Sequence, residues 1–289
     1  MNETIQNEFL KVTIDPLGAQ LKSVTDGICE YLWPGDPNLW KGTAPVLFPF
    51  IGRLYGKTYR YQGKEYEMPL HGFLSKSVLE SEKLAENKIR YRLNANAETK
   101  KMYPFDFQAG VEYRLEERKL TVCFFVKNRG KEPMYFVFGG HPGFRLPLEE
   151  NLSFEDYKLC FEAGNAPQRV LFSSESLTDS VVPYSIENGE IPLRHSLFDD
   201  EAIVLKNAGK SVKIISEKGT RGIQVDFPDF PYVGFWHVPK TEAGYVCVEP
   251  WTGLPGRQGI VEELETMQDR TVLEPGKEYR NQWAITFFV

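Results

Sequence analysis

The chain has 289 residues, 42% hydrophobic and 26% charged, with a net charge of −6. That length suits one large domain or two small ones, and large all-β domains often reach it. No Lys/Arg run or basic stripe is present, which excludes an electrostatic footprint for nucleic acid; the longest apolar runs are of strand length, too short to span a bilayer. The opening Met-Asn-Glu-Thr-Ile-Gln-Asn-Glu has neither a basic nor an apolar stretch, so no secretion signal is expected.

Short alternating or β-branched segments follow one another along the chain. Residues 9–14 alternate, and Pro-Leu-Gly turns the chain into 19–25. Residues 59–61 and 65–68 flank Gln-Gly-Lys, and 78–84 and 88–93 flank Ala-Glu-Asn, both hairpin signals. Residues 107–115 and 120–127 make a longer hairpin around Glu-Glu-Arg-Lys. Segments 134–138, 157–161, 202–205, 212–216, 222–227, 232–237, 245–248 and 282–288 continue the pattern. Helix is expected only at 97–102 and, as a short amphipathic piece, at 260–267. Strands at short intervals with almost no helix argue for an antiparallel sandwich rather than βαβ units. No composition shift, repeat or linker divides the chain, so one domain over 1–289 is expected.

Cys29, Cys123, Cys160 and Cys247 are widely spaced, with no Cys-x-x-Cys pair. They read as free thiols of a reducing compartment, Cys123 and Cys160 being buried in strands. The high aromatic content suits both strands and sugar-stacking surfaces.

Three islands concentrate the chemistry. Phe-Val-Phe-Gly-Gly-His-Pro-Gly-Phe places His141 at a strand end, between two glycines and a stiffening proline. Val-Cys-Val-Glu-Pro-Trp-Thr-Gly places Glu249 at an apolar strand end, where a carboxylate is costly without a purpose or a partner; a structural pairing with an arginine is the plainer alternative. Leu-His-Gly-Phe places His71 beside a glycine, though a lone histidine among apolar residues is more often structural. Arg53 follows a Pro/Gly-interrupted apolar run, and a structural ion pair is its default reading. Asp199-Asp200-Glu201 reads by default as a solvated turn. His195 is expected to be exposed, and His237 to be a strand end or a pocket wall. A carboxylate and imidazoles near strand ends can exchange protons near neutral pH. There is no His-x-His, His-Glu-x-x-His or paired cysteine spacing for a metal, no Gly-x-Ser-x-Gly elbow and no Gly-rich phosphate loop, so neither a metal nor a nucleotide cofactor is expected.

Taken in order, these islands resemble the aldose 1-epimerase (galactose mutarotase-like) family, and more closely its bacterial LacX-like branch. The matching pieces are Phe-Pro-Phe-Ile-Gly-Arg with Arg53, Leu-His-Gly-Phe with His71, Gly-His-Pro-Gly-Phe with His141, Phe-Asp-Asp-Glu-Ala-Ile-Val-Leu with Asp200, and Val-Glu-Pro-Trp-Thr-Gly with Glu249. Ile-Asp-Pro-Leu-Gly-Ala-Gln-Leu also resembles the family's opening hairpin. The resemblance implies a large antiparallel β-sandwich of the galactose mutarotase type. It implies cofactor-free interconversion of the α- and β-anomers of an aldose in the cytoplasm. By position it makes Glu249 the general base and His141 the general acid, with His71, Asp200 and Arg53 binding the sugar. For this chemistry Glu249 must be ionised and His141 protonated, and Trp33, Trp236 and Trp251 are candidate faces for the ring. The Asn-rich loop around the first histidine and the Gln-containing loop after the glutamate, usual in better-known members, are absent here, which leaves the sugar open. A hexose 6-phosphate substrate would need a basic cluster, such as Arg53 with Arg145 or Arg257. The reading from another class is a sugar-binding module without turnover, against which the intact His141/Glu249 pair speaks.

Overall fold

The computed structural model describes residues 1–173 and 176–289. Two large antiparallel sheets dominate. The first has nine strands in the order Glu190–Pro192, Lys158–Phe161, Ser211–Ile215, Gly222–Asp226, Glu278–Phe288, Lys119–Asn128, Phe107–Glu116, Lys88–Asn94 and Glu80–Ala85. The second has eight strands. Its path runs Ser176–Pro183, Gln168–Ser173, Ile203–Lys206, Tyr232–Trp236, Tyr245–Trp251, Gly139–Gly140 and Val46–Leu47, and Gly143–Arg145 joins it beside Tyr245–Trp251. A three-stranded sheet of Glu3–Gln6, Lys11–Asp15 and Gln20–Thr25 is the expected opening hairpin with one strand added.

The inner faces of the two large sheets meet through aromatic rings. Phe124 of the first stacks on Phe138, which leads into the second, with centroids 4.2 Å apart. Phe161 and Phe235 meet edge-on at 5.7 Å, and a Cβ on Gly140 would stand 2.6 Å from the Trp283 ring. Rings of this size bury much of the apolar surface that drives the sheets together. One contiguous core runs from Ile5 to Phe287.

The strand Tyr245–Trp251 is buried at every position. A strand covered on only one face alternates, so both faces here must be covered. Val246 and Val248 join the main core. Tyr245 and Cys247, on the opposite face, join a second, smaller cluster with Trp33, Trp40 and Trp236 packed against it. Glu249 shares that opposite face by the period-2 rule.

The structure departs from the sequence expectations in several places. Residues 260–267 form no helix. Glu262–Glu263 instead pairs in parallel with Tyr59 and Arg60, and Glu262 is drawn inside by a bidentate bond from Arg257, Nε to Oε1 at 2.9 Å and Nη2 to Oε2 at 2.8 Å. The helix Ala97–Met102 does form, capped by Asn96 and Thr99 in a reciprocal box. The strand expected at 78–84 lies at Glu80–Ala85. Cys123 and Cys160 are only half-buried, because their strands expose part of one face; Cys29 and Cys247 are the buried thiols, and all four are free. No helix among the described residues is long and apolar enough to cross a membrane.

Candidate active site

Register on the second sheet sets the site. Glu249 stands opposite Gly234, Cys247 opposite both Trp236 and Gly143, and Trp251 opposite Tyr232 and Gly139. The missing side chain at Gly234 lets the Trp251 ring lie close to Glu249: a Cβ there would stand 3.3 Å from that ring and 3.4 Å from the Glu249 Cβ. His141 lies in the short crossover between Gly139–Gly140 and Gly143–Arg145, with its N–H bonded to the Pro45 carbonyl at 3.0 Å. That crossover brings His141 Nε2 to 3.2 Å from Glu249 Oε2. No arginine pairs with Glu249 in the bonds the structure makes around it; its neighbour is the imidazole.

The pair is closed off. His141 is 7% exposed and Glu249 2%. Trp40 lies across His141, with ring centroids 5.0 Å apart and planes 30° apart. It also stacks on Tyr245 at 5.4 Å and meets Trp236 edge-on at 5.6 Å. Two glycines make its slot, since a Cβ on Gly42 or Gly143 would stand 2.5 or 2.7 Å from the indole. The Trp40 carbonyl accepts from Trp33 Nε1 at 2.9 Å and from the Asp36 N–H at 2.8 Å, which anchors the backbone of the 33–40 loop and leaves the ring held by packing. The sequence reading named Trp33, Trp236 and Trp251 and missed Trp40. Its only local signal is the following Lys-Gly, which is too weak to single it out.

Burial governs the charges. It pushes the Glu249 carboxyl well above the usual carboxylate range and the His141 imidazole well below its ordinary value, with the unfavourable placing of a second positive charge beside His71 a lesser cause for His141. Both directions favour a neutral carboxyl beside a neutral imidazole. The sequence reading required the opposite, an ionised Glu249 and a protonated His141. Each arrangement holds one proton, so the pair differs only in where that proton sits. The Trp251 indole eases the Glu249 shift slightly, yet it makes no well-formed hydrogen bond. His141 Nδ1, Glu249 Oε2 and Trp251 Nε1 all lack a protein hydrogen-bond partner.

His71 meets His141 edge-on, centroids 5.4 Å apart. Its Nδ1 accepts the Gly52 N–H at 3.0 Å and its own N–H donates to the Gly52 carbonyl at 2.9 Å. An accepting Nδ1 fixes the neutral tautomer with its proton on Nε2. Dense surroundings, with Lys76 and Arg53 nearby, push the imidazole down to about 4, although the residue as a whole is only half-buried. The loop is strained and pinned: His71 has φ 60° and Gly72 φ 73°, and a Cβ on Gly72 would stand 2.1 Å from the Phe48 carbonyl oxygen.

Beside this pair opens a cleft of about 610 Å³, lined among others by Asp199, Asp200, Glu201, Trp236, Lys240 and Trp251. Asp200 is exposed there, while Asp199 Oδ1 accepts the Lys240 N–H at 3.0 Å. Arg53 lines a different hollow, with Tyr55, Lys57, Ser176 and Gln258. The structure therefore brings His71, His141 and Glu249 together, sets Asp200 at the neighbouring cleft, and leaves Arg53 outside that cleft. His195 is half-buried rather than exposed, because its ring stacks on Phe154 at 4.2 Å and its Nδ1 lies 3.2 Å from Nε2 of the buried His237.

Fold and site together define a galactose mutarotase-like sandwich. The aldose 1-epimerase family model matches residues 2–280, and the chain belongs to that family. It is similar to the chromosomal LacX protein of Lactococcus lactis, 35% identical over 284 residues and 93% of each chain. Among solved structures it is similar to a galactose mutarotase related enzyme from Lactobacillus acidophilus, with 35% identity, a TM-score of 0.93, and 99% and 97% of the two chains covered. A galactose mutarotase-like protein from Lactobacillus casei gives 30% identity and a TM-score of 0.94, with 99% and 100% covered.

Proposed function

We propose that the protein interconverts the α- and β-anomers of a free aldohexose in the cytoplasm, with no cofactor. The observation that carries this reading is the His141–Glu249 contact of 3.2 Å. Ring opening needs one proton taken from the C1 hydroxyl and one delivered to the ring oxygen, two atoms bonded to the same carbon. Two groups this close, sharing one proton between them, can serve both atoms.

Sugar hydroxyls entering beneath Trp40 bring hydrogen bonds to a carboxylate that lacks them, which favours moving the shared proton from Glu249 to His141. Glu249 then takes the C1 hydroxyl proton while His141 protonates the ring oxygen. The C1–O5 bond breaks to the aldehyde, rotation about C1–C2 presents the other face, and reclosure returns both protons. The Nε2–H of His71 donates to a sugar oxygen, and Asp200 accepts from hydroxyls at the cleft. Trp236 and Trp251 offer the ring apolar faces.

The cleft also favours a free sugar over a phosphorylated one. Its charged lining is Asp199, Asp200 and Glu201 against Lys240 alone. Arg257 is engaged with Glu262, and Arg53 lies in another hollow. A dianionic phosphate beside three carboxyls is repelled.

The test is anomer exchange by NMR on a panel of free aldoses and their 6-phosphates, each corrected for the spontaneous rate. Acceleration of free hexoses is expected. No acceleration of any sugar at saturating concentration, with binding retained, moves the assignment to a carbohydrate-binding module.

A further inference from the structure

Sequence spacing offers no metal motif, but the fold gathers three ligand types at one point. Cys247 and Glu249 are two residues apart on one strand and share a face, and the crossover adds His141. One ligand atom from each, all three residues buried, lies within 4.8 Å of the others. A tetrahedral zinc ion holds N, S and O ligands at about 2.0–2.3 Å, so its ligand atoms stand roughly 3.3–3.8 Å apart. The histidine and glutamate already stand 3.2 Å apart, and a modest side-chain rotation closes the rest. Glu249 Oε2 has no protein hydrogen-bond partner, so it loses no such bond on turning to a cation. An imidazole, a thiolate and one carboxylate make a borderline-soft donor set that suits zinc over magnesium or calcium.

We propose that Cys247, His141 and Glu249 form a binding site for a thiophilic divalent cation of the zinc class, and that its occupancy shuts down the acid–base pair. The cation displaces the Cys247 thiol proton and any proton on the pair, and those protons leave to solvent as it binds. With its one free ring lone pair on the metal, His141 cannot take up a further proton, and the coordinated Glu249 is too weak a base to take one. The cation enters as a sugar does, once Trp40 has moved aside. The inhibition rests on the assignment of His141 and Glu249 as the catalytic pair; the binding does not.

The test begins with chelator-stripped full-length protein. Zinc is titrated in competition with a chromogenic chelator, and cobalt(II) is added separately to read a thiolate-to-metal absorption band. One zinc per chain is expected, with anomer exchange falling in step with occupancy and returning on adding EDTA. Cys247→Ser is expected to keep metal-free exchange within about twofold. It should lose zinc affinity by about 100-fold or more, since even groups behind a ligand cost 10–100-fold, and it should show no thiolate band. Cys29→Ser, at the other buried thiol, should behave as wild type. Absence of stoichiometric zinc in wild type, or of the thiolate band, overturns the site without recourse to any variant, as does undiminished affinity in Cys247→Ser. Stoichiometric binding with undiminished exchange keeps the site and removes its inhibitory role, which separates a failure here from a protein that shows no exchange at all.

Discussion

Replacing Glu249 with glutamine tests the site most directly, because the structure separates its catalytic from its structural consequences. The carboxylate is 2% exposed, 3.2 Å from His141, and one of its oxygens has no protein hydrogen-bond partner. Glutamine keeps the shape, cannot take a proton, and offers an N–H to the imidazole. Loss of a positioned general base costs on the order of 10²–10⁴ in rate, or about 2.7–5.4 kcal/mol at 1.36 kcal/mol per tenfold. Stability should change by about 1 kcal/mol or less, since an unpaired buried acceptor is exchanged for a donor beside an acceptor. Anomer exchange measured by NMR above the spontaneous rate, alongside urea unfolding, reads both quantities. Because His141 and Glu249 share one proton and one step, Glu249→Gln with His141→Asn should lose far less than the product of the single losses. Near-normal exchange in Glu249→Gln would falsify the mechanism, and a rate loss matched by unfolding would void the inference drawn from it.

Asp200→Asn, at an exposed position on the cleft, should raise KM several-fold and change kcat by less than about threefold; a collapse of kcat with KM unchanged removes its binding role. His71 is pushed from 6.5 down to about 4 in the fold, so the unfolded chain takes up a proton that the folded one refuses. Stability is therefore intact above pH 6.5 and falls as pH drops toward 4, by at most on the order of 3 kcal/mol; His71→Asn should shrink the difference between urea midpoints at pH 7 and pH 5. Gly72→Ala places its methyl on the Phe48 carbonyl at positive φ and should cost at least about 3 kcal/mol, read as a lowered thermal midpoint. Trp40→Ala opens the pair to water. The two limbs of its bell-shaped pH profile should draw together, the acid limb moving up and the basic limb down, and unshifted limbs mean that Trp40 does not cover the pair in solution.

The sheets were legible in the sequence because their signals are local. Alternation and turn residues mark Phe107–Glu116 with Lys119–Asn128 as a hairpin without any tertiary knowledge. The expected helix at 260–267 failed for a non-local reason: its backbone is claimed by a strand two hundred residues earlier, and Glu262 by Arg257. The Gln168–Ser173 and Ser176–Pro183 pair went unread because its alternation is weak, although Phe172 lines the cleft. In the site, residue types flanked by glycine and proline were readable at 71, 141 and 249. Their protonation was not, since it depends on how deeply Trp40 and its neighbours bury the pair. The glycines at 42, 143 and 234 looked like ordinary breakers in the sequence; packing turns the first two into the slot for the Trp40 indole and the third into a seat for the Trp251 ring beside Glu249.

The closed arrangement carries a cost that bears on function. Three buried polar atoms, on His141, Glu249 and Trp251, lie without protein hydrogen bonds, and Trp40 covers His141. At about 1–3 kcal/mol for each buried, unpaired group, the closed site gives up several kcal/mol that a purely apolar patch would keep. A structural core has no use for such a cluster. On the proposed function a sugar would have one: its hydroxyls can satisfy such atoms while its ring replaces part of the apolar cover, so that binding would recover what closure forfeits. In the proposed mechanism the same burial would withhold charge until substrate arrives, the proton moving to His141 when hydroxyls stabilise the carboxylate. Covering His141 with a ring held by packing would then let one site be dry at rest and polar in use.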